Sequence, residues 1–92
     1  MTSRTVKIVN PLGLHARAAA RFVHLASGFQ SQIRVARGSQ AMDGKSIMGI
    51  LLLAAASGTA LTVSADGEDE HAAIEALCAF IETGFGEDTC SA

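Results

Sequence analysis

The stretch Asn10-Pro11-Leu12-Gly13-Leu14-His15-Ala16-Arg17 marks where the chain changes its apolar period from that of a strand to that of a helix. Before it, in Arg4 to Val9, Val6 and Ile8 alternate with Thr5 and Lys7, the two-residue period of a half-buried strand. Pro11 fixes φ and Gly13 frees it, so Asn10 to Gly13 reads as a turn. After it, Ala19, Phe22, Val23 and Ala26 recur at i, i+3, i+4 and i+7 and make one apolar helical face. Arg17, Arg21 and His24 fall on another face, and Gly28 is expected to end the helix as a left-handed cap.

Working outward, Gln32 to Arg37 reads as a second strand, with Ile33 and Val35 pointing the same way. Gly38-Ser39 turns the chain into a short strand at Gln40 to Met42, and Asp43-Gly44 turns it again. Ser46 is placed to cap a short helix from Ile47 to about Leu53. Ala60 to Ala65 is a fourth strand, with Leu61 and Val63 on one face. Glu68, Asp69 and Glu70 then put negative charge at the start of a last helix, where the helix dipole favours it. Ala73, Ile74, Leu77, Cys78 and Ile81 form its apolar stripe, and Gly84 and Gly86 punctuate its end. The order is β-α-β-β-α-β-α. Four strands cannot hide their own apolar face, so the expected fold is α+β, with helices on one side of an antiparallel sheet. Residues 1–88 are expected to form a single domain and 89–92 a loose tail.

Composition excludes several classes of function. A chain of 92 residues has no room for a separate catalytic domain, and 49% hydrophobic against 17% charged residues describes a chain that folds. A net charge of −2 is too small to suggest a nucleic-acid surface or a polybasic membrane face. The four Phe residues all fall outside the strands, which argues against an RNA-stacking sheet. The longest apolar stretch, Ile47 to Ala56, is too short to span a bilayer, and Met1 to Lys7 lacks a signal-peptide core. The expectation is a cytoplasmic monomer without membrane insertion, metal or cofactor. Cys78 falls in a helical apolar stripe and should fill the core, leaving Cys90 as the reactive thiol.

His15 stands just before the first turn of the first helix, where unpaired N–H groups and the dipole favour an anion, phosphate above all. Arg17, two residues on, could curl its guanidinium back and grip phosphate oxygens with paired hydrogen bonds. A phosphoryl-carrying imidazole needs this setting: nearby positive charge favours the neutral, nucleophilic ring, and the same donors stabilise the bound phosphoryl group. Transfer itself is governed by positioning and electrostatics. By geometry alone, a lone histidine at a helix start is also an ordinary capping or surface residue. Ser-His-Asp chemistry has no GxSxG elbow here to support it.

Two segments, NPLGLHARAAA at Asn10 to Ala20 and DGKSIMGILLLAA at Asp43 to Ala55, resemble the histidine-containing phosphocarrier HPr family of the phosphoenolpyruvate-dependent sugar phosphotransferase system. The resemblance covers nearly the whole chain and implies an open-faced sandwich of four antiparallel strands and three helices. It implies that His15 takes a phosphoryl group on its δ1 nitrogen from enzyme I and passes it to an enzyme IIA domain. Arg17 would bind the phosphate, with the backbone of Ala16, Arg17 and Ala18. Such a protein is a carrier that depends on partner enzymes, not an autonomous enzyme. The residue after Arg17 is commonly proline in this family and is Ala18 here. Alanine keeps the helix and an extra amide, and forgoes a stiffening of about 0.4–1 kcal/mol.

Ser46 is both a helix cap and, by the resemblance, a site phosphorylated in some bacteria by an ATP-dependent HPr kinase/phosphorylase, with a transcriptional regulator as a further partner. The helix from Ile47 to Leu53 is apolar all round, so one side must pack inward and another is open to a partner. The resemblance turns Ile47, Met48 and Leu51 outward to dock with enzyme I and enzyme IIA; a short buried helix is the alternative. Gly49 would let a partner approach closely. Leu14, Arg21, His24 and Lys45 complete the expected docking surface, although His24 and His71 also read as solvated residues and Lys45 as a loop solubiliser. Two further readings stay open: a paralogue in the nitrogen-related regulatory branch, and a binding module that signals only through phospho-Ser46.

Overall fold

A computed structural model describes residues 1–86; the expected tail at 89–92, the end of the expected domain and Cys90 lie outside the described residues. The element order is β1 (Thr2–Lys7), α1 (Ala16–Ala26), β2 (Gln32–Arg37), β3 (Gln40–Asp43), α2 (Ile47–Leu52), β4 (Ala60–Asp66) and α3 (Glu70–Glu82). The strands form one antiparallel sheet in the order β1-β4-β2-β3, with the helices on one face, the α+β open-faced sandwich expected.

Alternation in the strands decides which face is covered. Val6, Ile33, Val35, Leu61, Val63 and Ala65 point to the helices and are buried, while the residues between them face outward or lie half-buried. Against that face α1 presents Ala18, Ala19, Phe22 and Ala26, and α3 presents Ala73, Ile74, Leu77, Cys78 and Ile81. The buried Cys78 thiol has its pKa pushed up by desolvation, as befits a core residue. Phe85, buried just past the end of α3, packs edge-on against Phe80 with ring centroids 5.9 Å apart.

Several local expectations need correction. β1 runs from Thr2 to Lys7, not from Arg4 to Val9, because its register pairs Thr2 with Ala65 and Lys7 with Ala60 along the full length of β4. Ile8 stays tied beyond the strand by its amide on the Thr59 carbonyl and its carbonyl on the Gly58 amide. Gly28 is not left-handed: Ser27 closes α1 in the right-handed region, and the amides of Ser27 and Gly28 bond the Val23 and Leu25 carbonyls. A Cβ on Gly49 would lie 3.3 Å from the Met42 Cβ, so the close approach that Gly49 permits is to β3 of its own chain.

The acidic start of α3 also does more than complement a dipole. Asp69 is the N-cap residue, yet its carboxylate makes no capping bond. It accepts from the amides of Gln30 (2.8 Å) and Ser31 (2.9 Å) and from the Ser31 hydroxyl, tying α3 to the α1–β2 loop. Glu70 accepts from the Thr2 hydroxyl at 2.6 Å and the Gly67 amide at 3.2 Å, tying α3 to the first residues of β1. The Thr2 hydroxyl and Gly67 amide hold the Glu70 carboxyl down to about 2 from an ordinary 4.5, and the Ser31 hydroxyl and Gln30 amide lower that of Asp69. A carboxylate whose pKa falls on folding stabilises the fold above its unfolded value and loses that contribution as pH drops through the folded value. Unfolding midpoints are therefore expected to fall as pH decreases from about 4.5 towards 2. Glu70→Gln should flatten that decline; an identical acid profile for both proteins would refute the assignment.

Candidate functional site

The site forms where the β1–α1 loop meets the loop between α2 and β4. Gly13 sits at φ +68, a conformation that L side chains resist. A Cβ there would lie 2.7 Å from the Ala55 carbonyl oxygen and 3.0 Å from the Ala56 Cα, so glycine also permits the approach of the two loops. The Leu14 amide then donates to the Ala55 carbonyl at 2.9 Å, and the Gly13 amide closes the preceding turn on the Asn10 carbonyl at 3.1 Å. Asn10 secures the turn a second time, its side-chain amide donating to the Gly13 carbonyl at 2.8 Å.

Held this way, His15 becomes the N-cap of α1, in extended backbone conformation at φ −91 and ψ −179. Its ring is half-buried, and its Nδ1 accepts a hydrogen bond from the Arg17 amide at 3.2 Å. A nitrogen that accepts carries a lone pair, so in the neutral ring the proton sits on Nε2 and Nδ1 is the nucleophilic atom. That lone pair is aimed at the helix N-terminus. The first regular helical bond there is the Ala19 amide on the His15 carbonyl at 2.8 Å, so the amides of Ala16, Arg17 and Ala18 precede the intrahelical ladder. The first turn holds no acidic residue to repel an anion, and Arg17 is exposed beside it. The Ala18 methyl is fully buried, so that residue offers only its backbone to a ligand.

The structure sorts the expected docking residues. Met48 (69% exposed) and Ile47 (43%) face outward on α2 as anticipated. Leu51 is half-buried against the core, and Leu52 (60%) takes the outward place expected of it, because Leu52 follows Met48 by one helical turn while Ile50 and Leu53 point inward. Leu14 is not a surface anchor: its amide bond to Ala55 draws the side chain into the core, and it is only 7% exposed. Leu12, two residues earlier, is the exposed leucine of that loop. Lys45 is committed within the fold, its ammonium donating to the Phe29 carbonyl at 2.7 Å. Ser46 caps α2, its Oγ accepting from the Gly49 amide at 3.1 Å. Arg21 reaches the Phe85 carbonyl at 3.4 Å, and with the exposed His24 it borders an open groove of about 550 Å³ against Phe80 and Gly86 rather than joining His15. His71 is exposed, within 3.4 Å of the Thr2 hydroxyl.

Two residues near the site were not singled out from sequence. Ala54, just past α2, is left-handed at φ +49, a conformation costing an L-residue about 1–2 kcal/mol. Arg37, at the end of β2, donates to the Ala54 carbonyl at 3.4 Å. The signal available for Arg37 was its parity with Ile33 and Val35, which turns its side chain to the helix face of the sheet. Among the described residues no group of three or more His, Cys, Asp or Glu side chains is placed to hold a metal, and no helix is long and apolar enough to cross a membrane.

Residues 2–83 match the family model described as the PTS HPr component phosphorylation site. A phosphocarrier protein HPr of Cupriavidus necator is 47% identical over 87 residues, which cover 95% of this chain and 98% of that protein. Among solved structures, an HPr of Thermoanaerobacter tengcongensis superimposes with a TM-score of 0.91 at 48% identity, over 96% of this chain and 99% of the other. An HPr dimer from the same organism superimposes with a TM-score of 0.75 at 48% identity, over 95% of this chain and all of the other.

The close approach at Gly13 has a measurable cost. Gly13→Ala is expected to destabilise by about 2 kcal/mol or more, because strain at positive φ adds to a clash with backbone. Gly38→Ala, at φ +60 with nothing within 4 Å, should lose about half as much. Equal losses in urea titrations would show that the loop contact is not tight.

Proposed function

The chain belongs to the HPr family of phosphocarrier proteins of the phosphotransferase system, and from that premise we propose that His15 accepts a phosphoryl group from enzyme I and hands it to enzyme IIA domains. HPr is a phosphocarrier, not a catalytic enzyme, so the chemistry asked of this chain is to hold and release one group. The observation that carries the proposal is the orientation of Nδ1 towards the start of α1, on the Arg17 amide. In the transfer, the Nδ1 lone pair forms a bond to phosphorus while the donor's bond to phosphorus breaks and its electron pair returns to the donor. The Arg17 amide then exchanges the ring nitrogen for a phosphoryl oxygen, joined by the amides of Ala16 and Ala18 and by the Arg17 guanidinium. Handing the group on reverses these steps against an acceptor.

A half-buried ring flanked by the exposed Ala16 and Arg17 can still be reached by a protein partner, as donor and acceptor both require. Ile47, Met48 and Leu52 on α2, with Leu12 in the loop, offer apolar contact, and the exposed Arg21 offers positive charge. His15, Arg17 and the three amides come from one chain, so a monomer suffices for the proposed role, and that role calls for a cytoplasmic protein free to meet its partner enzymes. Incubation with phosphoenolpyruvate, magnesium and enzyme I should add one acid-labile phosphoryl group, read as a mass increase, and His15→Ala should gain none. No mass increase, or an increase that survives the substitution, would sink the proposal.

Ser46 adds a regulatory reading, because its hydroxyl lies at the α2 N-terminus, one residue from the exposed Ile47 and two from the exposed Met48. A phosphate there brings up to two negative charges to the docking surface. Phospho-Ser46 protein is expected to be phosphorylated by enzyme I at least several-fold more slowly than the unmodified form. Equal initial rates would exclude this control.

A further inference from the structure

The left-handed Ala54 needs a physical account, since alanine adopts that conformation only when its surroundings hold it. Three bonds surround it. Its own amide donates to the Leu51 carbonyl at 3.0 Å, its carbonyl accepts from the Arg37 guanidinium at 3.4 Å, and the next carbonyl, of Ala55, accepts from the Leu14 amide at 2.9 Å. The first completes the end of α2, and the third joins this loop to the residue before His15. Only the second comes from the sheet. Arg37 is carried there by strand parity: it shares the helix-facing side of β2 with the buried Ile33 and Val35, while Arg34 lies on the open face. Its charge also complements the carbonyl end of α2.

We propose that Arg37 is a positioning residue of the phosphoryl site, holding the left-handed turn at Ala54 so that the Ala55 carbonyl stays where Leu14, and through it the His15 ring, are anchored. This deepens the carrier function proposed above and rests on it. Arg37 does not touch the reacting nitrogen; it acts through two peptide units, and its loss leaves Nδ1 less well aimed rather than chemically changed.

The test uses the full chain and four variants: Arg37→Gln, Arg37→Lys, Ala54→Gly and the Arg37→Gln/Ala54→Gly pair. Each is assayed as a substrate of phosphorylated enzyme I, and the hydrogen exchange of the Leu14 amide is followed by NMR. Arg37→Gln is expected to lower kcat about three- to tenfold, the worth of one hydrogen bond, with KM changed less than about twofold and Leu14 exchange accelerated. Arg37→Lys should recover most of the rate. Because glycine enters the left-handed region without penalty, Ala54→Gly should rescue Arg37→Gln, a coupling that loss of surface charge alone would not show. Wild-type kcat in Arg37→Gln, a change confined to KM, unaltered Leu14 exchange, or failure of Ala54→Gly to rescue would each overturn the proposal. If the wild-type chain takes no phosphoryl group, the carrier function falls, and Leu14 exchange alone then decides whether Arg37 positions this loop.

Discussion

One hydrogen bond, from the Leu14 amide to the Ala55 carbonyl, joins the two halves of the site, and it exists because residue 13 has no side chain. The β1–α1 loop and the α2–β4 loop approach so closely that a methyl group at Gly13 would meet a backbone carbonyl, which cannot move aside as a flexible side chain could. From that contact follow the burial of Leu14, the extended conformation of His15 and the start of α1 directly beyond it. A histidine in the same sequence position, but on a loop free to drift, would have no fixed relation to the helix amides.

The cap at His15 accounts for how one imidazole serves in two states. In the resting state the Arg17 amide is satisfied by Nδ1, so an otherwise orphan donor of the helix end is paired. In the proposed charged state the same donor turns to a phosphoryl oxygen. The helix end thus has an acceptor in either state, and the cost of exposing a backbone donor is avoided in both. Ser46 repeats the capping pattern at α2, with its Oγ on the Gly49 amide.

The carboxylates at the other end of the molecule show a separate economy of design. Asp69 and Glu70 stand at the start of α3, where a helix dipole favours them, but their oxygens bind Ser31 and Gln30 on one side and Thr2 on the other. They fasten the α1–β2 loop and the first strand to the last helix. This leaves the face bearing His15, Ile47 and Met48 free of that task.

The order of elements, the buried faces of β1, β2 and β4, the apolar stripes of α1 and α3, and the place of His15 at a helix start were all legible in the sequence; that the Arg17 partner of the ring would be its backbone amide was not. The legible features depend on short-range periodicity and on chemistry within one turn of helix, both of which the chain writes locally. The boundaries of β1 were not, because strand length is decided by the partner: β4 extends pairing back to Thr2. Nor could the sequence separate Leu14, pulled into the core, from Leu12, left in solvent, or tell that Leu52 rather than Leu51 faces outward on α2. Arg37 showed only its strand parity, and Ala54 showed nothing, for the same reason. Their meaning lies in a contact between the end of β2 and the loop after α2, 17 residues apart, and such contacts are set by how layers pack rather than by any local pattern.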